Sequence, residues 1–106
     1  RSQQKQVLVI SSKMGSISDN RSGKSYAYRS SKTALNAIMH SAAIDLLPTK
    51  IQILLLHPGW VKTNMTGPQA PLDSNQSVAG MLQVADNATD IPSGAFLDYQ
   101  GNSIPW

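Results

Sequence analysis

The sequence predicts an α/β fold on a parallel sheet, its elements ordered strand, helix, strand, helix, strand. Two observations carry this. Val7–Ile10 and Ile51–Leu56 are short aliphatic runs without polar alternation, the habit of strands buried on both faces. Between them lies a long segment whose apolar residues recur with a helical period. Strands alternating with helices build parallel sheets, and right-handed crossovers are the default connection.

The first strand, Val7-Leu8-Val9-Ile10, ends at the polar pair Ser11-Ser12. Residues 13 to 25, rich in Ser, Gly, Asp and Asn, are expected to form a loop. From Tyr26 to Leu47, the residues Leu35, Ile38, Met39, Ala42 and Leu46 form one apolar stripe of a helix. Pro48 stops it, because the residue before a proline is pushed out of the α region. A second strand, Ile51 to Leu56, closes at His57-Pro58-Gly59, and residues 60 to 72 read as an irregular loop. Asp73 or Ser74 can cap a second helix running to about Ala88, with Val78, Met81, Leu82 and Ala85 as its apolar face. Pro92-Ser93-Gly94 ends that helix, and Ala95–Tyr99 supplies the third strand.

Composition narrows the class. The chain has 106 residues, 41% hydrophobic and 14% charged, a balance unlike that of disordered segments. The net charge of +3 comes from cations scattered singly, without a basic stripe interleaved with aromatics, so nucleic-acid binding is not expected. Zero cysteines exclude a disulfide framework, a thiolate metal site and a cysteine nucleophile. With only His40 and His57, a histidine-rich metal site is not expected either. No apolar run approaches the roughly 20 residues needed to span a bilayer, and no signal peptide is recognised at the N-terminus. The expectation is a soluble, cytoplasmic protein without membrane partners. Three sequons, at Asn20, Asn64 and Asn87, are read as coincidences of a Ser/Thr/Asn-rich composition.

Three strands and two main helices are few for a doubly wound sheet, which usually carries helices on both faces. The first strand arrives almost at once, with nothing before it to cover its other side, and the chain begins with Arg1. The expectation is that residues 1–106 are the C-terminal part of a larger doubly wound domain.

Tyr28-Arg29-Ser30-Ser31-Lys32 carries the first chemical signal. Positions i and i+4 share a helix face, so a tyrosine hydroxyl and a lysine ammonium become neighbours. Phenols titrate near ~10, so acid/base work at pH 7 asks for roughly 4 kcal/mol. An ammonium about 4 Å away supplies on the order of 4 kcal/mol at an effective dielectric near 20. Such a pair can serve as a general acid/base. Ser12 lies at the C-terminal end of a parallel strand, the edge where open α/β sheets hold their ligands, and its hydroxyl could orient a carbonyl oxygen. The turn Pro58-Gly59-Trp60-Val61-Lys62-Thr63 ends the next strand and could meet a polar ligand edge.

In these segments, I-S-S-x-x-G at Ile10–Gly15, Y-x-x-S-K at Tyr28–Lys32 and P-G-x-V-x-T at Pro58–Thr63, the chain resembles the short-chain dehydrogenase/reductase family. The spacing from Ser12 to Tyr28 is a few residues longer than in many members. The inserted segment, together with L-H-P-G-W-V and the terminal I-P-W, looks like the branch of C-factor and sniffer-like carbonyl reductases. The resemblance implies a Rossmann-like domain and an NAD- or NADP-dependent oxidoreductase interconverting a carbonyl and an alcohol. It implies Tyr28 as acid/base, Lys32 stabilising the phenolate and binding the nicotinamide ribose, and Ser12 holding the reacting carbonyl. Val61 would meet the nicotinamide carboxamide through its backbone, Thr63 would reach the amide or the pyrophosphate, and Pro58 and Gly59 would shape that turn. Two family features are not found in this sequence: the glycine-rich loop that cradles the pyrophosphate, and the asparagine of the usual tetrad. The 106 residues alone are therefore expected to be inactive, and the parent is expected to form a dimer or tetramer through the long helix.

Other readings are weaker. Gly23-Lys24-Ser25 resembles the end of a P-loop, but that motif needs a glycine where Ser18 stands. A non-enzymatic signalling or scaffold role is the alternative that the C-factor resemblance brings. His57 is expected to cap the strand end beside Pro58, His40 to be partly buried or at a surface, and Tyr26 to pack. Trp60 and Met65 either border the substrate pocket or pack in the core.

Overall fold

The computed structural model describes residues 5–59 and 73–106. Three parallel strands, β1 (Gln6–Ile10), β2 (Gln52–His57) and β3 (Ala95–Asp98), lie side by side in the order β1-β2-β3. Val9 pairs with Leu55, and Leu55 with Phe96, so these three side chains share one face. Helix α1 (Tyr26–Asp45) follows β1, and helix α2 (Ser74–Asp86) precedes β3. The predicted alternation is present. Among the described residues no helix is long and apolar enough to cross a membrane.

Strand β2 is the centre of the molecule. Ile53, Leu54, Leu55 and Leu56 are each at most 1% exposed, and full burial of such a side chain contributes roughly 1.5–3 kcal/mol. Leu54, Leu56 and Leu97 pack with Met81 of α2 on one face. Leu55 and Phe96 pack with Met39 of α1 on the other. The two helices therefore lie on opposite faces. Since the strands follow one another across the sheet, two crossovers of one hand would place both helices on the same face. The two connections have opposite hands, and the right-handed default fails for one of them.

Helix α1 buries its predicted stripe only in part: Met39 packs against the core and Leu35, Ala42 and Leu46 are half-buried, while Ile38 is 63% exposed. Its fully buried residues are Asn36 and Ala43. At 100° per residue those two positions lie about 90° from the centre of the apolar stripe. Two local contacts account for this. Asn36 is accepted inside because Ser11 satisfies its carbonyl, and Gly94 leaves room against Ala43, which a Cβ there would approach to 3.2 Å. Helix α2 shows a similar shift, with Ser77, Met81 and Ala85 buried but Val78 and Leu82 half exposed. Asp73 caps it, as expected, through a capping box in which Gln76 reciprocates.

Strand β1 also departs from expectation. Among the described residues it pairs only with β2, and Val7, Leu8 and Ile10 are 36–50% exposed. Its apolar sequence suits a central strand, but in this chain it is an edge. Helix α1 ends at Asp45, and Pro48 sits in a 3-10 turn, Leu47–Thr49, that follows it. At the C-terminus, Ile104 is buried and Trp106 stacks edge-on against His40 at 5.2 Å and beside Phe96 at 5.4 Å. Tyr26 packs against nothing extensive, since it is 84% exposed.

Candidate active site

The site gathers at the C-terminal edge of the sheet. The ladder between β1 and β2 continues one step past the strand, where the Ser11 amide donates to the Leu56 carbonyl at 2.8 Å. The expected loop then begins with a 3-10 turn, Lys13–Gly15, whose N-cap is Ser12. Ser12 is buried, and its Oγ accepts the Met14 amide at 3.1 Å, which occupies a lone pair and leaves the O–H as a donor. A serine in that state suits an orienting role toward a carbonyl oxygen.

Three contacts clamp this turn to α1. Buried Ser11 donates its hydroxyl to Asn36 Oδ1 at 2.6 Å. The Thr33 hydroxyl donates to the Gly15 carbonyl at 2.9 Å. Gly15 itself lies so close to the helix that a Cβ there would meet Asn36 Nδ2 at 2.8 Å and the Lys32 carbonyl carbon at 3.0 Å. Asn36 Nδ2 is buried with no hydrogen-bond partner. The clamp fixes the turn carrying Ser12 beside the helical turn carrying Lys32.

The two residues of the i, i+4 pair lie together, with the ammonium over the ring. Tyr28 and Lys32 share a face of α1, with Lys32 Nζ 5.7 Å from the Tyr28 ring centroid. Tyr28 is 46% exposed, and no ion pair engages Lys32 among the described residues. The hydroxyl and the ammonium are thus available to a ligand, and together they offer the donor and acceptor chemistry that sugar hydroxyls require. The chain enters α1 through Gly23, Lys24 and Ser25, with φ of 70°, 63° and 54° in succession. Left-handed backbone costs a non-glycine residue about 1–2 kcal/mol. Arg29 holds this entry: its Nε donates to the carbonyls of Gly23 (3.2 Å) and Lys24 (3.0 Å), and Nη2 donates to Ser22 Oγ at 3.0 Å. The first turn of α1, which bears Tyr28, is fixed from both sides.

After β2 the turn opens with Pro58, whose carbonyl accepts the buried Ser77 hydroxyl at 2.6 Å, and with Gly59 at φ 86°. The other residues singled out in this turn, Trp60, Val61, Thr63 and Met65, lie outside the described residues. His57 ends β2, and its Nδ1 accepts the Lys13 amide at 3.0 Å. Burial holds its imidazole below the usual histidine range; the Lys13 ammonium adds to that effect, while Asp98 and Asp19 oppose it. A cavity of about 360 Å³ lies beside it, lined by charged residues such as Lys13, Asp19 and Asp98 and by apolar ones such as Ile104 and Pro105.

The sequence pointed to Ser12, Tyr28 and Lys32 but missed their supports, Ser11, Gly15, Thr33 and Asn36. A signal existed for one of them: Asn36 follows Lys32 at i+4 and so shares its helix face. Nothing in the pattern paired Asn36 with a serine so far away in sequence.

Comparison with known proteins agrees with this geometry. Residues 1–73 match the short chain dehydrogenase family. The chain is 48% identical to C-signal of Myxococcus xanthus over 102 residues, covering 96% of this chain and 61% of that protein. It superposes on the carbonyl reductase Sniffer of D. melanogaster with a TM-score of 0.90 and 42% identity, covering 95% of this chain and 41% of that one. An NADPH-bound carbonyl reductase from chicken fatty liver gives a TM-score of 0.86 at 37% identity, over 95% of this chain and 42% of the other. The chain thus spans between two fifths and three fifths of the length of these proteins. On its ordered motifs, its parallel sheet and these likenesses, the chain belongs to the short-chain dehydrogenase/reductase family, in the branch of C-factor and sniffer-like carbonyl reductases.

Proposed function

We propose that the protein to which this chain belongs interconverts a small carbonyl compound and an alcohol, with NAD or NADP as hydride carrier. The observation that carries the reading is the Tyr28–Lys32 pair on one face of α1, clamped beside the turn that presents Ser12. The bound nicotinamide would supply or accept the hydride. Ser12 donates its O–H to the carbonyl oxygen and holds it toward the tyrosine. Tyr28 gives that oxygen its proton in reduction and takes one in oxidation. Lys32 stabilises the phenolate and holds the ribose hydroxyls. Pro58 and Gly59 set the turn from which Val61 and Thr63 contact the nicotinamide end.

In this reading residues 1–106 are the C-terminal portion of one NAD(P)-binding Rossmann-like domain. The exposed apolar edge of β1 supports that placement. Pyrophosphate binding needs backbone amides at a glycine-rich turn and a helix N-terminus, so the 106 residues by themselves bind the cofactor weakly or not at all and show no turnover. The exposed Ile38 and Ile44 on α1 support a dimer or tetramer of the parent, in the cytoplasm. The likeness to C-signal favours a second reading, a signalling or interaction protein without turnover.

Tyr28→Phe in the full-length protein tests the choice. It removes the hydroxyl and keeps the ring, so the fold survives while kcat falls by about 10²–10⁴. Wild-type turnover in that variant would refute the role of Tyr28. A full-length protein that turns over no carbonyl or alcohol with either cofactor would favour the second reading.

A further inference from the structure

Where the ladder between β1 and β2 ends, side chains take over its hydrogen bonding. The Pro58 carbonyl is taken by the Ser77 hydroxyl from α2. The Lys13 amide, immediately after Ser12, donates to the His57 side chain at Nδ1 instead of to backbone. Ser12 is thus held on one side through Ser11, by Leu56 and Asn36, and on the other through Lys13, by His57, beside the contacts of Gly15 with α1.

We propose that His57 is a positioning residue for Ser12, and that it holds the Ser12–Gly15 turn only as the neutral imidazole. An Nδ1 that accepts the Lys13 amide carries no proton, so the ring hydrogen sits on Nε2. Protonation puts a second donor against the Lys13 N–H; that bond breaks, and the turn presenting the Ser12 hydroxyl loses its outer anchor. The charged groups facing His57 among the described residues are Lys13 and Asp19 from the turn and the loop after it, and Asp98 from the end of β3. The Asp98 carboxylate is already engaged by the Gln100 and Asn102 amides and by Asn102 Nδ2. Asp19 lies 3.8 Å from Lys13 Nζ. Neither carboxylate hydrogen-bonds His57 among the described residues, so their attraction for a protonated ring opposes burial and Lys13 without replacing the bond that is lost.

The inference rests on the catalytic reading of Ser12 and is tested with it in the full-length protein. His57→Asn places an amide oxygen where Nδ1 stands, and His57→Gln places it near Nε2, out of reach of the Lys13 amide. The expected result is that His57→Gln loses about tenfold in kcat, as for one hydrogen bond, with cofactor KM little changed. Exchange of the Lys13 amide, followed by NMR, should accelerate. His57→Asn should keep kcat within about twofold and lose the acid limb expected of wild type below the ordinary histidine value of ~6.5. Equal activity and equal Lys13 protection in the Asn and Gln variants would overturn the inference, as would an unchanged acid limb in His57→Asn. Ser12→Ala separates the two layers: full activity in that variant defeats the reading of Ser12, whereas an inactive Ser12→Ala beside a wild-type-like His57→Gln defeats only the role of His57.

Discussion

The Ser11 hydroxyl donates to Asn36 Oδ1 across 2.6 Å, joining the end of β1 to the middle of α1 inside the protein, where the two residues are 3% and 2% exposed. The bond sets the spacing between the Ser12 turn and the Tyr28–Lys32 face. Ser11→Ala leaves the Asn36 carbonyl buried without a donor, which costs about 1–3 kcal/mol. A lower urea midpoint at unchanged slope, together with reduced turnover, is the expected outcome. An unchanged midpoint would mean that the bond contributes nothing net.

Gly15→Ala should be more damaging than its single methyl suggests. The new Cβ would meet Asn36 Nδ2 at 2.8 Å and the backbone of Lys32 at 3.0 Å, so the helix has to move away from the turn. Overpacking of this kind costs about 1–3 kcal/mol. Activity should fall further than stability, because the displaced segment carries Lys32. Unfolding curves and kcat measured side by side check the order of the two effects.

Lys32→Ala should weaken cofactor binding and lower kcat, because the ammonium proposed to hold the ribose hydroxyls is gone. Lys32→Arg restores the charge without the compact geometry and should recover part of the activity at most. Titration calorimetry with NAD and NADP, and kcat of the three proteins, read out both effects. Unchanged kcat with unchanged affinity would reduce Lys32 to a surface charge.

His57 also links stability to pH. Its folded-state value lies below the ordinary 6.5, chiefly through burial, so the fold favours the neutral ring. The corresponding stability is fully present above pH ~6.5 and is lost as pH falls through the window between the unfolded and the folded values. Urea midpoints at pH 8 and pH 5.5 should therefore drop more in wild type than in His57→Asn. Equal drops would show that the histidine does not report on folding.

The element order and the residues of the candidate catalytic set were legible in the sequence. Aliphatic runs such as Ile53–Leu56 are the habit of strands covered on both faces, and the i, i+4 spacing of Tyr28 and Lys32 places both groups on one helix face whatever surrounds it. The sequence did not determine which faces of the helices turn inward, the hand of the crossovers, or the contacts that align the site. Those depend on partners remote in the chain: Ser11 satisfies the buried Asn36 carbonyl, Gly94 leaves space for Ala43, and the Ser12 turn is held in part because His57 ends the neighbouring strand. Local periodicity records where a segment is apolar. Only the tertiary structure decides whether a polar group finds the one partner that allows it inside.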